Sequence, residues 1–299
     1  MWRSLTPVPT ARTEVAAAAV GSQIFVAGGF GEGGGTVAVV EVYDTEADRW
    51  ATGPELPLAT NHAMAASDGK SLFVLGGYAG PGLESPTDRG FRFDPAGDCP
   101  PGEICGSWEP LPRMPEVRAA AGAAFADGRI FVASGVGPSG LARSTLVFDP
   151  SSARWSEAPG LPTAREHLGV AAFDGRVFVV GGRTGGIGSN LTAAEVFDPS
   201  SGEWSSLPDM PTARGGIAAG STENGFIVGA GGEAEATFDE AEALDVEDER
   251  WISLPPMPTA RHGLGVVGVG DVLYVLAGGP TPGLDFSTAN EAIDLGPLR

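Results

Sequence analysis

The sequence predicts an all-β fold, a propeller of six four-stranded antiparallel blades, on three observations. The only six tryptophans, Trp2, Trp50, Trp108, Trp155, Trp204 and Trp251, recur at spacings of 48, 58, 47, 49 and 47 residues. Between them the same order of turn formers and apolar runs repeats. The two chain ends carry complementary halves of one unit. A period of this length marks a fold whose units bury their faces against their neighbours.

Each unit opens with a proline-rich turn ending in arginine. A strand of small residues, a tight turn, an apolar strand ending in Gly-Gly, a variable loop and an aromatic-Asp pair follow before the tryptophan. The fourth unit reads PTAREHLGVAAF, DGR, VFVVGG, a loop, and AEVFDPSSGEW. Asp-Gly pairs at 68–69, 127–128 and 174–175, with Asn224-Gly225, predict type I′ hairpins, because both central positions of that turn take positive φ. Ala16 to Ala19 would favour helix on propensity, yet they occupy the phase of an inner strand, and phase decides. The aromatic-Asp residue precedes tryptophan by six in four units (Asp44 and Trp50, Asp149 and Trp155, Asp198 and Trp204, Asp245 and Trp251), which implies one fixed turn.

In the last unit Asp294 calls for a tryptophan just past the final residue, while Trp2 stands without strands before it. Residues 2–6 are therefore expected to supply the outer strand of the sixth blade and remove an open sheet edge. The expected blades span about 12–54, 62–112, 118–159, 165–208, 214–255, and 261–295 joined by 2–6, all in one domain of 299 residues.

With 46 glycines and 25 prolines the chain is rich in turns, and its formal net charge is -20. Such a surface repels phosphate backbones and anionic headgroups, so nucleic acid is an unsuitable partner. No apolar run is long enough to cross a bilayer and no basic-then-apolar leader is visible, so a cytoplasmic protein is expected, or a secreted one if a signal peptide has been removed; a monomer is expected. Cys99 and Cys105 could close a small disulfide loop or stay free, according to compartment. Their segment, DPAGDCPPGEICGSW, interrupts the turn between the third and fourth strands of blade 2, which places it on the face opposite the histidines.

Paired glycines at 28–29, 76–77, 181–182, 231–232 and 278–279, followed by Tyr43-Asp44 or Phe-Asp and then tryptophan, resemble the Kelch repeat, with Ser134-Gly135 replacing the pair in unit 3. The resemblance extends over essentially the whole chain. It implies a binding or scaffold propeller, although Kelch propellers of this size also include a sialic-acid mutarotase. Kelch propellers that capture acidic peptides carry a basket of arginines two positions after the loop arginine. Here those positions are read as Glu14, Ala63, Ala120, His167, Gly216 and Gly263, so acidic-peptide capture does not carry over. The ligand set of the Kelch-like copper-radical oxidases is not matched either, since Tyr43 lies in a repeat strand and both cysteines lie in one loop.

Gly29 to Gly34 and Gly135 to Gly140 each fit G-x-G-x-x-G, but both lead into another strand rather than a helix, so neither is expected to bind a dinucleotide. Asn190-Leu191-Thr192 is a glycosylation sequon. Arg12, Arg118, Arg165, Arg214 and Arg261 open the inner strand of five blades, with Asn61 read as the counterpart in the remaining one. Residues present in nearly every blade are expected to serve the blade.

Residues that break the repeat at the channel mouth are free to serve a ligand. His62, His167 and His262 fall one or two residues after the arginine phase in blades 2, 4 and 6, with His167 read as one residue out of step. Glu14 and Glu166 share this loop, where a carboxylate beside a histidine could perform acid-base work. The first positions after the diglycines, Phe30, Tyr78, Val136, Arg183, Glu233 and Pro280, open on the same face. The expected ligand-binding set is Glu14, Phe30, His62, Tyr78, Glu166, His167, Arg183, Glu233 and His262. It would serve a protein, peptide or glycan with no cofactor and no catalytic residue. A carbohydrate-acting epimerase, or a metal held by His62, His167 and His262, are the competing readings.

Overall fold

The computed structural model describes residues 1–97, 99–100 and 103–298. Six four-stranded antiparallel sheets follow one another around an axis. Their innermost strands are Ala16–Val20, Met64–Ser67, Gly122–Ala126, Gly169–Phe173, Ala218–Ser221 and Gly265–Val269. The alanine run is a strand, as its phase predicts. In the sixth sheet Asn290–Asp294 pairs with Arg3–Ser4, in register Arg3 to Ala292, so the N-terminal segment completes the last blade. Leu5 N and Val8 N donate to the carbonyls of Asn290 and Thr288 and extend this seam. Among the described residues no helix is long and apolar enough to cross a membrane.

The core is divided into six clusters, one between each pair of neighbouring blades. Phe226, Val228 and Ala243 of blade 5 meet Leu264, Val266 and Leu273 of blade 6, for example. The tapering geometry dictates small residues near the axis: a Cβ on Gly122 would lie 2.1 Å from Val170 Cγ2, and one on Gly268 1.8 Å from the Ser221 carbonyl.

The repeated tryptophans join blades. Each indole Nε1 donates to a carbonyl in the chain segment leading out of the preceding blade: Trp108 to Pro54 at 2.9 Å, Trp155 to Pro112 at 2.9 Å, and Trp2 to Pro255 at 2.7 Å. In four blades the ring also packs, tilted, against the aromatic of the preceding strand, as in Phe148 and Trp155 with centroids 4.9 Å apart. The six-residue interval is explained by the aspartate: Asp44, Asp149, Asp198 and Asp245 each accept backbone N–H bonds from the turn that follows.

The five arginines are fully buried and serve their own blades. Arg12 donates to Gly28 O at 2.8 Å and to Glu41 Oε2 at 2.8 Å; Arg214 donates to Gly231 O and Glu242; Arg261 to Glu291; and Arg165 meets Glu195. Burial lowers these guanidinium pKa values, that of Arg261 to about 10 against the pull of Glu291. In blades 1, 4, 5 and 6 a glutamate on the third strand meets the guanidinium, so each of these buried cations has its counter-charge. Blade 3 has Leu146 at the glutamate position and recruits Glu116 instead. Blade 2 has Phe91 there and lacks the arginine too.

Three sequence readings need correction. In blade 2 the residue at the arginine position is Thr60, not Asn61: its carbonyl accepts from Gly29 N as that of Arg118 accepts from Gly77 N. In blade 6 the pair equivalent to the diglycine is Ala277-Gly278, not 278–279. Ala277 has φ 56° and Gly278 φ 99°, and Gly278 N donates to Arg12 O as its counterparts do. Type I′ geometry occurs at Asp127-Gly128 and Asp174-Gly175, where both φ are positive, but not at 68–69 or 224–225, where only the glycine is. The connection after Ser67 is four residues long, which lets Asp68 Oδ1 accept from Lys70 N and Ser71 N instead.

Cys99 and Cys105 are joined as a disulfide, with Cα atoms 5.6 Å apart. Ile104 N donates to Thr52 O at 3.0 Å, so this insert covers the outer strand of blade 1. Residues 98, 101 and 102 of it lie outside the described residues.

Candidate functional site

Two structural positions in the loop before each inner strand, and one after each diglycine, build the mouth of the channel. The inner ring of the mouth holds Glu14, His62, Ala120, His167, Gly216 and Gly263. All six have left-handed backbones, with φ between 48° (Ala120) and 71° (Gly216). The N–H of each donates to its counterpart in the preceding blade: His62 to Glu14 O, Ala120 to His62 O, His167 to Ala120 O, Gly216 to His167 O and Gly263 to Gly216 O. Val15 N closes the circuit on Gly263 O. This collar of backbone hydrogen bonds satisfies peptide groups that would otherwise be orphaned where six loops converge.

The collar also corrects the phase of the histidines. His62 and His167 hold the same position as Glu14, and His262 is the one displaced, sharing its place with Thr13, Asn61, Ala119, Glu166 and Gly215. The first position after the diglycine is likewise Gly279 in blade 6 rather than Pro280. A Cβ there would lie 2.6 Å from His262 Cε1, so the missing side chain makes room for the imidazole. Two-residue strands, Arg12–Thr13 with Phe30–Gly31 and Thr60–Asn61 with Tyr78–Ala79, fasten these loops in pairs.

The structure brings together all nine residues named from the sequence. His62 is flanked by Phe30 and Tyr78, with ring centroids at 5.8 and 5.6 Å, and meets His167 edge-on at 4.9 Å. Its Nε2 lies 3.2 Å from Glu14 Oε2. Arg183 donates through Nε to Glu166 Oε1 and through Nη1 to Glu233 Oε1, both at 2.8 Å. His167 Nδ1 lies 3.1 Å from Glu166 Oε2, close enough for an ion pair but not aligned as a hydrogen bond. His262 Nδ1 donates to Gly279 O at 3.1 Å, and its Nε2 is 3.7 Å from both Glu14 Oε1 and Glu233 Oε2. Blade 3 contributes only Ala119, Ala120 and Val136 at these positions, leaving the polar cluster open on that side. The cluster caps a channel cavity of about 110 Å³ lined by small residues of all six inner strands.

Burial sets the electrostatics. It pushes His62 down to about 4, aided by His167 and Arg183 against Glu14, so this imidazole is neutral at pH 7. Burial would raise Glu14, but the three histidines and Arg183 together hold it below its ordinary value. Burial would raise Glu166 as well; His167 and Arg183 outweigh it and hold that carboxyl at about 2. Arg183 is raised, since Glu233 and Glu166 overcome its own burial.

Among the described residues, a group of donor atoms that could hold a metal, all within 4.8 Å of one another, belongs to Glu14, His62 and His167. His262 approaches the same carboxylate from the side. Sequence reasoning missed two contributors. Asn61 Oδ1 lies 2.6 Å from His62 Nδ1, and Asn190, read only as part of a sequon, donates through Nδ2 to Glu233 O at 2.8 Å. A cue for Asn61 was present: every residue at the arginine position follows a proline by three, and Pro57 gives Thr60.

The loops around the mouth carry the exposed apolar surface. Away from the chain ends, the exposed large hydrophobic residues are Leu83, Leu141, Ile187 and Leu284, and all four stand in loops that follow a diglycine position. Leu83 and Leu284 are the most open, at 54% and 61% exposure.

A family model described as the KLHDC2/KLHL20/DRC7 Kelch-repeats domain matches residues 108–279, more than half of the chain. A second, the Kelch motif, matches residues 11–57. No curated protein matches the chain in sequence.

Proposed function

The chain belongs to the Kelch-repeat family, whose propellers typically act as protein-binding scaffolds, and on that premise we propose that it binds a polypeptide on the face that carries the mouth. One observation carries this reading: the four exposed apolar residues stand in four loops around a single buried polar centre. An apolar rim about a polar centre offers anchors together with a means of orientation. The charge suits a basic ligand. Three carboxylates stand against one guanidinium at the centre, and the net charge of -20 would steer cationic segments toward the surface.

Selection of displayed peptides on the immobilised protein tests it. The peptides retained are expected to combine an apolar anchor with lysine or arginine. Fluorescence polarisation should show their affinity falling about tenfold or more in a Leu83→Asp/Leu284→Asp variant, the loss of two anchors. Lys70→Glu, on the opposite face, should leave it unchanged. Equal binding by the loop variant would overturn the reading.

A second reading rests on a different observation, the convergence of Glu166, His167, Arg183 and Glu233 within a network of 2.8–3.1 Å contacts. Paired carboxylates and an imidazole can move protons on a small sugar, as an epimerase or mutarotase of the sialic-acid type requires. Anomer interconversion of such a sugar, followed by NMR, should then be faster with the protein than with its Glu166→Gln variant. Equal rates would dismiss it.

A further inference from the structure

We propose that Glu14, His62 and His167 form a site for one divalent transition-metal ion at the axis of the mouth, with one carboxylate and two imidazole donors. The hydrogen on His62 is placed by its neighbour. Its Nδ1 lies 2.6 Å from Asn61 Oδ1. The Asn61 amide is oriented by its other end, where Nδ2 donates to Thr36 Oγ1 at 2.8 Å and faces Tyr78 O at 3.5 Å. The oxygen therefore faces the imidazole, and Nδ1 carries the hydrogen. With Nδ1 so engaged, Nε2 is the ring atom left to face Glu14 Oε2, 3.2 Å away.

A metal ion at this buried place would take Nε2 and Oε2 as two of its donors. Ligand atoms bound at 2.0–2.2 Å in tetrahedral or octahedral geometry lie about 3.0–3.5 Å from each other, which the His62 to Glu14 distance satisfies. His167 completes a group whose donor atoms all fall within 4.8 Å, so its ring needs only a small shift inward.

The surroundings are those of a built site. Each donor histidine has a fixed neighbour beside its ring: Asn61 for His62, and for His167 the carboxylate of Glu166, itself held by Arg183. Such outer partners orient metal-binding imidazoles. His262, its Nδ1 committed to Gly279 O, presents Nε2 to the second oxygen of Glu14 at 3.7 Å and stands ready as a further donor. Two imidazoles and one carboxylate select zinc, iron, nickel or copper over the all-oxygen sites of calcium and magnesium. Three protein donors leave at least one coordination position for water or for a group of a bound ligand.

The experiment takes the full chain, stripped with a chelator, and titrates it with Zn²⁺ by calorimetry and with Co²⁺ by visible absorption. One equivalent is expected to bind, with Co²⁺ giving d–d bands of an imidazole-containing site. Glu14→Gln, His62→Asn and His167→Asn should each weaken binding by about tenfold or more, whereas His262→Asn should cost less. Asparagine tolerates the left-handed backbone at 62 and 167, and an unchanged thermal transition would show that the variants keep the fold. No saturable binding by the unmodified chain would mean that a proton alone bridges Glu14 and His62, and would overturn the proposal. Binding indifferent to the His62 and His167 substitutions would do the same. Peptide binding is measured separately, so failure here leaves the polypeptide reading untouched.

Discussion

At the scale of single residues, the repeated tryptophans act between neighbouring blades and the repeated arginines within their own. Tyr43, at a position filled by Phe, Leu or Ile in the other blades, adds a contact of its own. Its hydroxyl donates to Asp48 Oδ1 at 2.7 Å, and the same oxygen accepts from Thr6 N at 2.9 Å, so one carboxylate fastens blade 1 to the N-terminal segment. Burial and the neighbouring Asp48 raise the Tyr43 pKa well above its usual value. A raised pKa means the protonated phenol is favoured in the folded state, so its stabilisation is complete below about 10 and is lost as pH rises through the folded value. Alkaline unfolding of the protein should therefore set in above about pH 10, and Tyr43→Phe should flatten that part of the stability-pH curve while lowering stability at pH 7. A curve of the same shape in the variant would refute the assignment.

At the scale of the strand, the unit is an arginine before the inner strand joined to a glutamate on the third. Glu41, Glu242 and Glu291 also accept a hydroxyl bond from the threonine two residues before the arginine, at 2.7–2.8 Å. Arg214→Met would leave Glu242, 2% exposed, as a buried charge without its partner, with an expected loss of about 3–5 kcal/mol. Adding Glu242→Leu should recover most of it, because the pair would then be replaced by apolar packing. Urea denaturation of the single and double variants measures both. The arginines were legible from the sequence as structural, but their partners were not. A glutamate at the same phase in four third strands, and the joint loss of both residues in blade 2, are visible only once strands are set in register. Thr60 and Ala277 were misplaced by one residue for the same reason. Neither carries the side chain that marks its position elsewhere, and only backbone hydrogen bonds reveal it.

For the molecule as a whole, the number of blades, the strand order and the closure by the N-terminal strand could all be read from phase, because six repetitions over-determine a period. The nine residues were placed at the mouth from the sequence by the same phase, five in the loop before the inner strand and four directly after a diglycine. Which of them touch was not legible, since side-chain direction depends on the left-handed backbone of the collar. Closure carries its own prediction. Deleting residues 1–7 would remove Trp2, the pairing of Arg3 and Ser4, and the Leu5 bond, and expose the edge of Asn290–Asp294. The midpoint of thermal unfolding should fall by on the order of 10 °C, and the free edge should promote association. Calorimetry with sedimentation analysis would show both, and an unchanged midpoint would mean that the seam contributes little.

The collar of six backbone bonds has an electrical consequence. Each bond points from one blade to the one before it, so the peptide dipoles run head to tail around a closed loop and nearly cancel as a vector sum. A helix terminus placed at the same spot would align its dipoles along the axis, whereas bonds that circulate around the axis oppose one another across it. The polarity of the entrance is then set by the side chains the collar carries, Glu14, His62, Ala120 and His167, and by their neighbours. Exchanging Glu14 or His62 for another residue would reset it without changing the field of the frame beneath.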